Sequence, residues 1–540
     1  MTQSEPATVL GTHDVFNQPG LRGARDLWAD DRPLREAAIA AGAQQDVLAS
    51  AGQVYGSETI LQAAEDAQRD LPRLKLFDRG GRRLDEVEFH PGYHAVMQAG
   101  LGAGFARVAW DGTPGGHATH AALVYMQMQT EPGAGCPMTM TYAAVPALRH
   151  DKTLYETWAP KLMSGIYDPS TRPIAQKQGA TLGMAMTEKQ GGSDVRANTT
   201  RAVRDGEAYR LTGHKWFCSA PMCDGFLTLA QAEGGLTCFL VPRWLEGERN
   251  GIRLQRLKNK LGNHANASSE IEYHNALAYR LGEEGAGVRT IIEMVHHTRL
   301  DTAIAPAALM RAAIAEAHHW VSHRSVFQRR LIDQPLMREV LADLTLDMEG
   351  ALAVSMFLAS AYDRDDKESR ALARIGVALA KYLSNKRCIP VVGEALEVLG
   401  GVGYVEDTPM PMLYREAPLN SIWEGSGNVI CLDILRTLAR EPLAAEVLAE
   451  VLDTARGRDS RYDAALEAHR QRWPASPTEA EARWFAESLG NLLTSAALMQ
   501  TAPDAVVSGY VTSRVAQDRG QMAGTVAGLD AAAILSRLDP

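Results

Sequence analysis

Proton chemistry is possible where a lone carboxylate follows a tryptophan, at Ser421-Ile422-Trp423-Glu424-Gly425-Ser426-Gly427-Asn428. A carboxyl beside apolar and aromatic surface has a raised pKa, which suits a general base near neutral pH. Four other segments carry groups that could hold a ligand. Met186-Thr187-Glu188-Lys189-Gln190-Gly191-Gly192-Ser193-Asp194 joins a hydroxyl, a glycine pair that lets backbone N–H groups approach closely, and a second hydroxyl. Gly213-His214-Lys215-Trp216-Phe217-Cys218-Ser219 offers two aromatics able to cover a planar ring. Arg324-Ser325-Val326-Phe327 sets a phosphate-binding type of cation three residues before an aromatic. Glu397-Val398-Leu399-Gly400-Gly401-Val402-Gly403-Tyr404 is a glycine-rich turn. Taken singly, each also fits a bland role: a Gly turn, a strand end, a solvated arginine.

The elements around these segments change texture along the chain. Residues 1–180 read as helices with irregular connections, including amphipathic stretches at 36–51, 59–67 and 116–130. Residues 181–282 carry short β-branched and aromatic runs bounded by Asp205-Gly206, Glu233-Gly234-Gly235 and Asn250-Gly251, which predicts a compact antiparallel β-domain. Residues 283–440 return to a helical period. Leu336, Val340, Leu341, Leu344, Met348 and Leu352 line one face of a long helix, with partners at 286–331, 370–399 and 427–439. Residues 441–540 form a further helical extension. The class is therefore α+β, mostly α, and a β-domain between helical domains leaves a crevice suited to a cofactor.

Bulk properties exclude several functions. The 540 residues are 46% hydrophobic and 22% charged, which argues against disorder and for several domains. A net charge of -10 makes a poor general footprint for nucleic acid. Six cysteines without a C-x-x-C pair fit a reduced, cytoplasmic protein. The N-terminal residues lack a signal-peptide pattern, and no run approaches the ~20 apolar residues of a membrane span. His319 and His323, four apart, lack the carboxylate of a zinc helix, and Gly100-x-Gly102-x-Gly104 lacks its dinucleotide-binding context, so no metal is expected.

In order and spacing, MTE-x-x-GGSD, GHKW, R-x-x-F, LGG-x-GY and IWEGS resemble the acyl-CoA dehydrogenases over residues 90–440. Asn17-Gln18-Pro19, CPMTM from Cys136, LKNKLGNHANASSE from Leu257, LYRE from Leu413 and NSIWEGSGN from Asn420 resemble the AidB branch, which is associated with the adaptive response to DNA alkylation. The resemblance implies an N-terminal helical domain, a middle β-domain and a C-terminal four-helix bundle, plus an extra helical domain. It also implies FAD. Thr187 would lie near flavin N5, Gly192 and Ser193 at the pyrophosphate, and Phe217 and Ser219 beside the ring, with Met186 and Trp423 lining the same cofactor. Arg324, Phe327 and Gly401 match residues that reach a neighbouring subunit's FAD, while Ser426 and Asn428 match contacts to the adenosine half. Shared cofactors imply a dimer of dimers, a homotetramer. Glu397 and Gln328 depart from the family's usual Gln and Gly, which touches the cross-subunit details.

Glu424 matches the base that takes the α-proton of an acyl-CoA thioester while the β-hydrogen leaves as hydride, and Arg299 matches a position near the substrate. An alternative within the AidB branch is a DNA-associated protective flavoprotein whose C-terminal domain meets double-stranded DNA. Here residues 440–540 hold ten arginines, no lysine and fourteen acidic residues, a balance of −4. Arg456, Arg458, Arg461, Arg470 and Arg472 alternate with Asp453, Asp459, Asp463 and Glu467, which favours an ion-paired surface. His264 stands where AidB-like chains carry Arg, removing a further cation. A catalytically silent flavoprotein is the third reading.

Overall fold

The computed structural model describes residues 6–539; the first five residues and Pro540, included in the outer predicted domains, lie outside the described residues. The N-terminal region holds α1 (Arg32–Ala40), α2 (Gln45–Tyr55), α3 (Glu58–Arg69), α4 (Pro91–Gly102), α5 (Gly116–Thr130), α6 (Pro132–Leu148) and α7 (Lys152–Leu162). It also contains a hairpin absent from the helical reading, β1 (Arg73–Phe77) against β2 (Arg83–Glu88). The expected helix at 36–51 is two helices, because the chain turns at Gly42 with φ 82°. Nor is α5 amphipathic: every residue of α5 and α6 is buried. A helix enclosed on all sides has no solvent face to display a 3.6-residue period. The start of α6 is fixed by Glu131, which accepts from Gly133 N at 2.9 Å and Ala134 N at 2.5 Å.

The β-domain comprises β3 (Leu182–Ala185), β4 (Arg201–Asp205), β5 (Ala208–Ser219), β6 (Gly225–Ala232), β7 (Gly235–Pro242), the short pair β8 (Trp244–Leu245) and β9 (Glu248–Arg249), β10 (Ile252–Leu257) and β11 (Ser268–Leu281). Its seven-stranded sheet runs β10-β11-β5-β4-β6-β3, with β7 pairing both β11 and β6. The sheet is not wholly antiparallel as expected: β3 pairs β6 in parallel, and β4 meets β6 in parallel at Arg201 and Gln231. A crossover through β4 and β5 separates β3 from β6, and such connections permit parallel pairing that hairpins cannot make.

The bundle consists of α8 (Gly287–His323), α9 (Pro335–Tyr362), α10 (Lys367–Val398) and, after the short α11 (Met410–Glu416), α12 (Gly427–Arg440). A hairpin of β12 (Ser325–Val326) and β13 (Arg329–Arg330) links α8 to α9. By length and composition α9 could cross a membrane, contrary to the reading of the sequence, but 83% of its apolar window is buried inside the protein. Polar contacts couple the bundle to the N-terminal helices. Asp363 accepts from His117 N and Ala118 N at 2.7 and 3.0 Å, Asp301 lies 2.8 Å from His120 Nε2, and Arg311 reaches Asp31 at 2.9 Å.

The extension contains α13 (Pro442–Thr454), α14 (Ser460–Arg472), α15 (Ala482–Thr501), α16 (Asp504–Tyr510) and α17 (Ala531–Leu535). It packs on the bundle through charges as well as apolar surface. Arg514 meets Asp343 and Asp347 of α9 at 2.7 and 2.8 Å, and Arg537 meets Glu349 of α9 at 2.8 Å, all buried.

Candidate active site

Glu424 occupies the turn before α12 with φ 56°, a left-handed conformation unusual for a residue with a side chain, and Gly425 follows at φ 105°. Such strain persists where surrounding contacts over-determine it, and it clusters at functional sites. Two buried cations hold this turn. Arg299 of α8 donates through Nε to the Glu424 carbonyl at 3.3 Å, and Lys381 of α10 donates to the Gly425 carbonyl at 2.7 Å. Glycine at 425 is favoured by its φ of 105°, while a Cβ there would press only on the end of the Ile430 side chain, 2.9 Å away. Burial raises the Glu424 pKa, while Thr298, Arg299 and Lys381 pull it down and Asp301 adds to the rise.

Arg299 is itself clamped, at 2.8 Å, on Asp433 of α12, which Arg374 also reaches at 2.9 Å. Its guanidinium therefore fixes the turn and α12 together and sets positive charge beside Glu424. Asp433, although burial opposes its ionisation, is held below the usual carboxylate range by Arg374 and Arg299.

The glycine-rich segment after β3 is held from beneath. Glu188 and Lys215 form a fully buried pair at 2.9 Å, and Glu188 also accepts from Thr199 N and Thr200 N at 2.7 and 3.1 Å. Trp216 N donates to the Thr187 carbonyl at 2.8 Å, and Asn198 donates to the Met186 carbonyl at 3.0 Å. Thr187 is thereby placed beside β5, whose Phe217 is 48% exposed and whose Ser219 hydroxyl lies 3.1 Å from Ser268 Oγ. Lys258 sits over the Trp216 ring at 3.2 Å from its centre.

These residues fit a flat, phosphorylated cofactor: a half-open aromatic face, hydroxyls at both ends, and a glycine pair in which Gly191 has φ 132° and Gly192 sits close against Thr187. A Cβ on Gly192 would lie 3.2 Å from Thr187 Cγ2 and closer still to Thr187 Oγ1. Gly192→Ala is therefore expected to displace Thr187 and weaken retention of the FAD that the sequence resemblance implies by about tenfold, or 1.4 kcal/mol. The flavin-to-protein absorbance ratio after gel filtration measures this, with circular dichroism unchanged; full flavin content would contradict it.

Cys136 of α6 connects the two halves of the site. Burial drives its thiol up to about 12; Ser219 and Asn266 lower it, and the charge of Glu424 adds to the rise. The strand bearing Ser219 and the turn bearing Glu424 thus converge on one buried residue. Asn266 belongs to the LGN turn, where Asn263 donates its backbone N–H to buried Glu416 of the LYRE segment. Burial and Glu131 push Glu416 up to about 7, against the pull of the Asn263 hydrogen bond and of Lys260.

Other candidates lie apart from this convergence. Phe327, at the tip of the β12–β13 hairpin with φ 53°, is 91% exposed. Arg324 donates to the Asn17 carbonyl at 2.7 Å, and the Asn17 side chain exchanges two bonds with Ser325 at 2.8 and 2.7 Å. Gly401 lies exposed in the short helix Gly400–Tyr404, and Ser426 and Asn428 are exposed around the start of α12. Trp423 is partly buried, its Nε1 on Asn420 Oδ1 at 2.9 Å. Among the described residues no hydrogen bond joins Arg324, Gly401, Trp423, Ser426 or Asn428 to Thr187.

Lys381, Thr298 and Asp433 were missed by the sequence reading. A lone lysine in the apolar run Gly376–Leu383 was the available signal for the first. His319 and His323 bond backbone carbonyls, of Gly20 at 2.7 Å and of His319 at 2.8 Å, and no metal-binding group is present among the described residues.

Three family descriptions match the chain: "Adaptive response protein AidB N-terminal domain" over residues 17–169, "Acyl-CoA dehydrogenase, middle domain" over 183–276, and "Acyl-CoA dehydrogenase, C-terminal domain" over 285–439. AidB of Escherichia coli (strain K12) is 46% identical over 464 residues, covering 84% of this chain and 86% of that protein. Acyl-CoA dehydrogenase family member 11 of Caenorhabditis elegans is 35% identical over 395 residues, 69% of this chain and 63% of that one. Among solved structures, C. elegans ACDH-11 in complex with C11-CoA superposes with a TM-score of 0.83 at 26% identity, over 98% of this chain and 97% of that one.

Proposed function

The chain belongs to the acyl-CoA dehydrogenase family, in its AidB branch, and on that premise we propose that it oxidises an acyl-CoA-like thioester with bound FAD. The observation that carries this reading is the strained, partly buried Glu424, converging with the Thr187–Ser219 surface on Cys136. The C11-CoA bound to the C. elegans relative supports the substrate class. When bound, FAD supplies the acceptor for the hydride that leaves the β-carbon. Thr187, Met186, Phe217, Ser219 and Trp423 would line its ring, with Gly192 and Ser193 at its phosphates. Glu424 takes the α-proton. Arg299 and Lys381 fix the turn that aims it.

Arg324, Phe327 and Gly401 would serve the cofactor of a neighbouring protomer, and Ser426 and Asn428 its adenosine half, in a homotetramer. The exposed apolar side chains of Phe327, Tyr404, Leu336 and Phe16 support burial against another copy. Six buried, unpaired cysteines fit a reducing compartment, and we place the protein in the cytoplasm.

The arginines of the extension argue against a phosphate-binding face. Arg456 pairs with Asp453 at 2.8 Å, Arg461 with Asp459 at 2.6 Å and Arg470 with Asp453 at 3.0 Å, while Arg472 stacks on Trp484 at 3.8 Å. The test is anaerobic mixing of the flavin-loaded protein with acyl-CoAs of graded chain length and branching. Bleaching of the oxidised-flavin band by at least one member is expected. A band unchanged by every thioester, together with salt-sensitive binding of duplex DNA, would transfer the reading to DNA protection.

A further inference from the structure

Lys381 is a cation placed where none is needed for packing. It lies in the middle of α10, 2% exposed, and its ammonium donates to the Gly425 carbonyl at 2.7 Å. Among the described residues no carboxylate oxygen lies within ion-pair distance of it. A buried ammonium without a carboxylate contact is unfavourable unless another charge compensates. The groups facing it are Glu424 in the turn, Arg299 of α8 and Lys386 of α10, and of these only Glu424 attracts it. Glu424 in turn faces Thr298, Arg299 and Asp301 of α8, and Cys136 of α6. Arg299 is already committed to Asp433, which leaves Lys381 as the cation not neutralised elsewhere.

We propose that Lys381 is a positioning residue for the base: it tethers the Glu424–Gly425 turn and holds the Glu424 carboxylate in its ionised form. This inference rests on the dehydrogenase reading above. Burial lowers Lys381 to about 7 and raises Glu424, and each charge opposes the other's shift, so the two titrate as a coupled pair. Proton uptake by Glu424 removes the attraction and leaves Lys381 beside Arg299 and Lys386, so the lysine then releases its own proton more readily.

The experiment compares flavin-loaded wild type, Lys381→Met, Lys381→Arg and Glu424→Gln, with Lys381→Gln as substitute should the methionine variant not accumulate. With an acyl-CoA that reduces the wild type, Lys381→Met is expected to slow flavin reduction about tenfold at pH 7 with KM little changed. The midpoint of the pH–rate profile should move up by about one unit, and Lys381→Arg should recover part of both effects. A second readout needs no turnover: melting temperature against pH for wild type, both single variants and Lys381→Met/Glu424→Gln.

A lysine depressed to about 7 binds fewer protons folded than unfolded up to pH ~10.5, so stability rises with pH across that window. Lys381→Met flattens the rise, and the size of its effect should change when Glu424 is neutral. An unmoved pH–rate midpoint with additive melting shifts would overturn the proposal. If no thioester reduces the wild type but the melting shifts are non-additive, the Lys381–Glu424 coupling stands and the dehydrogenase reading falls.

Discussion

Glu424→Gln is expected to slow acyl-CoA-dependent flavin reduction by about 10²–10⁴-fold while leaving FAD bound. Glutamine has nearly the same size and shape, so it removes basicity and little else. The turn should survive as well, because Arg299 and Lys381 hold it through the carbonyls of Glu424 and Gly425 rather than through the side chain. Rapid mixing without oxygen, at several acyl-CoA concentrations, separates a lost chemical step from weakened binding. A variant reduced as fast as wild type would leave Glu424 as a buttress for the loop.

The pH dependence has a determined sign. On the proposed mechanism Glu424 works ionised, and burial raises its pKa above the ordinary carboxylate value. Activity should therefore rise with pH through a midpoint above about 4.5 and fall as the medium is acidified.

The second large effect concerns stability. Arg514→Met removes the cation that Asp343 and Asp347 share, at 2.7 and 2.8 Å, where side chains are 1–9% exposed. Breaking a buried pair by deleting one partner typically costs about 3–5 kcal/mol, because the remaining charge is stranded. Arg519 reaches Asp343 at 3.0 Å, but Arg387 lies 3.9 Å from Asp347, so Asp347 would be the more poorly served. The expected result is a lower melting temperature and early proteolytic cleavage within the extension, while the flavin spectrum persists. Adding Asp347→Asn should restore part of the loss, since it removes the stranded charge. Melting and proteolysis equal to wild type would show that apolar packing alone secures the extension.

Much of this molecule was legible in one dimension. Strand-forming runs bounded by Asp205-Gly206 and Asn250-Gly251, and the buried stripe from Leu341 to Leu352, report local preferences that need few distant contacts, whereas Leu336 at the start of that stripe is exposed. The strained turn at Glu424 and the close approach of Gly192 to Thr187 were signalled by glycine spacing, which is a local feature of the sequence. The ion pairs of Arg456, Arg461 and Arg470 were legible too, since their acidic partners lie within about a helical turn or on the adjacent helix.

What could not be read depends on which distant segments the topology brings together. No local pattern announces that α5 and α6 are enclosed on every side, or that β3 pairs in parallel with β6. Lys381 and Gly425 are 44 residues apart, and Arg514 and Asp347 are 167 apart. In sequence each of these charged groups looks like one more solvated side chain. Burial turns them into obligatory partners, because a charge removed from water must find compensation wherever the fold supplies it.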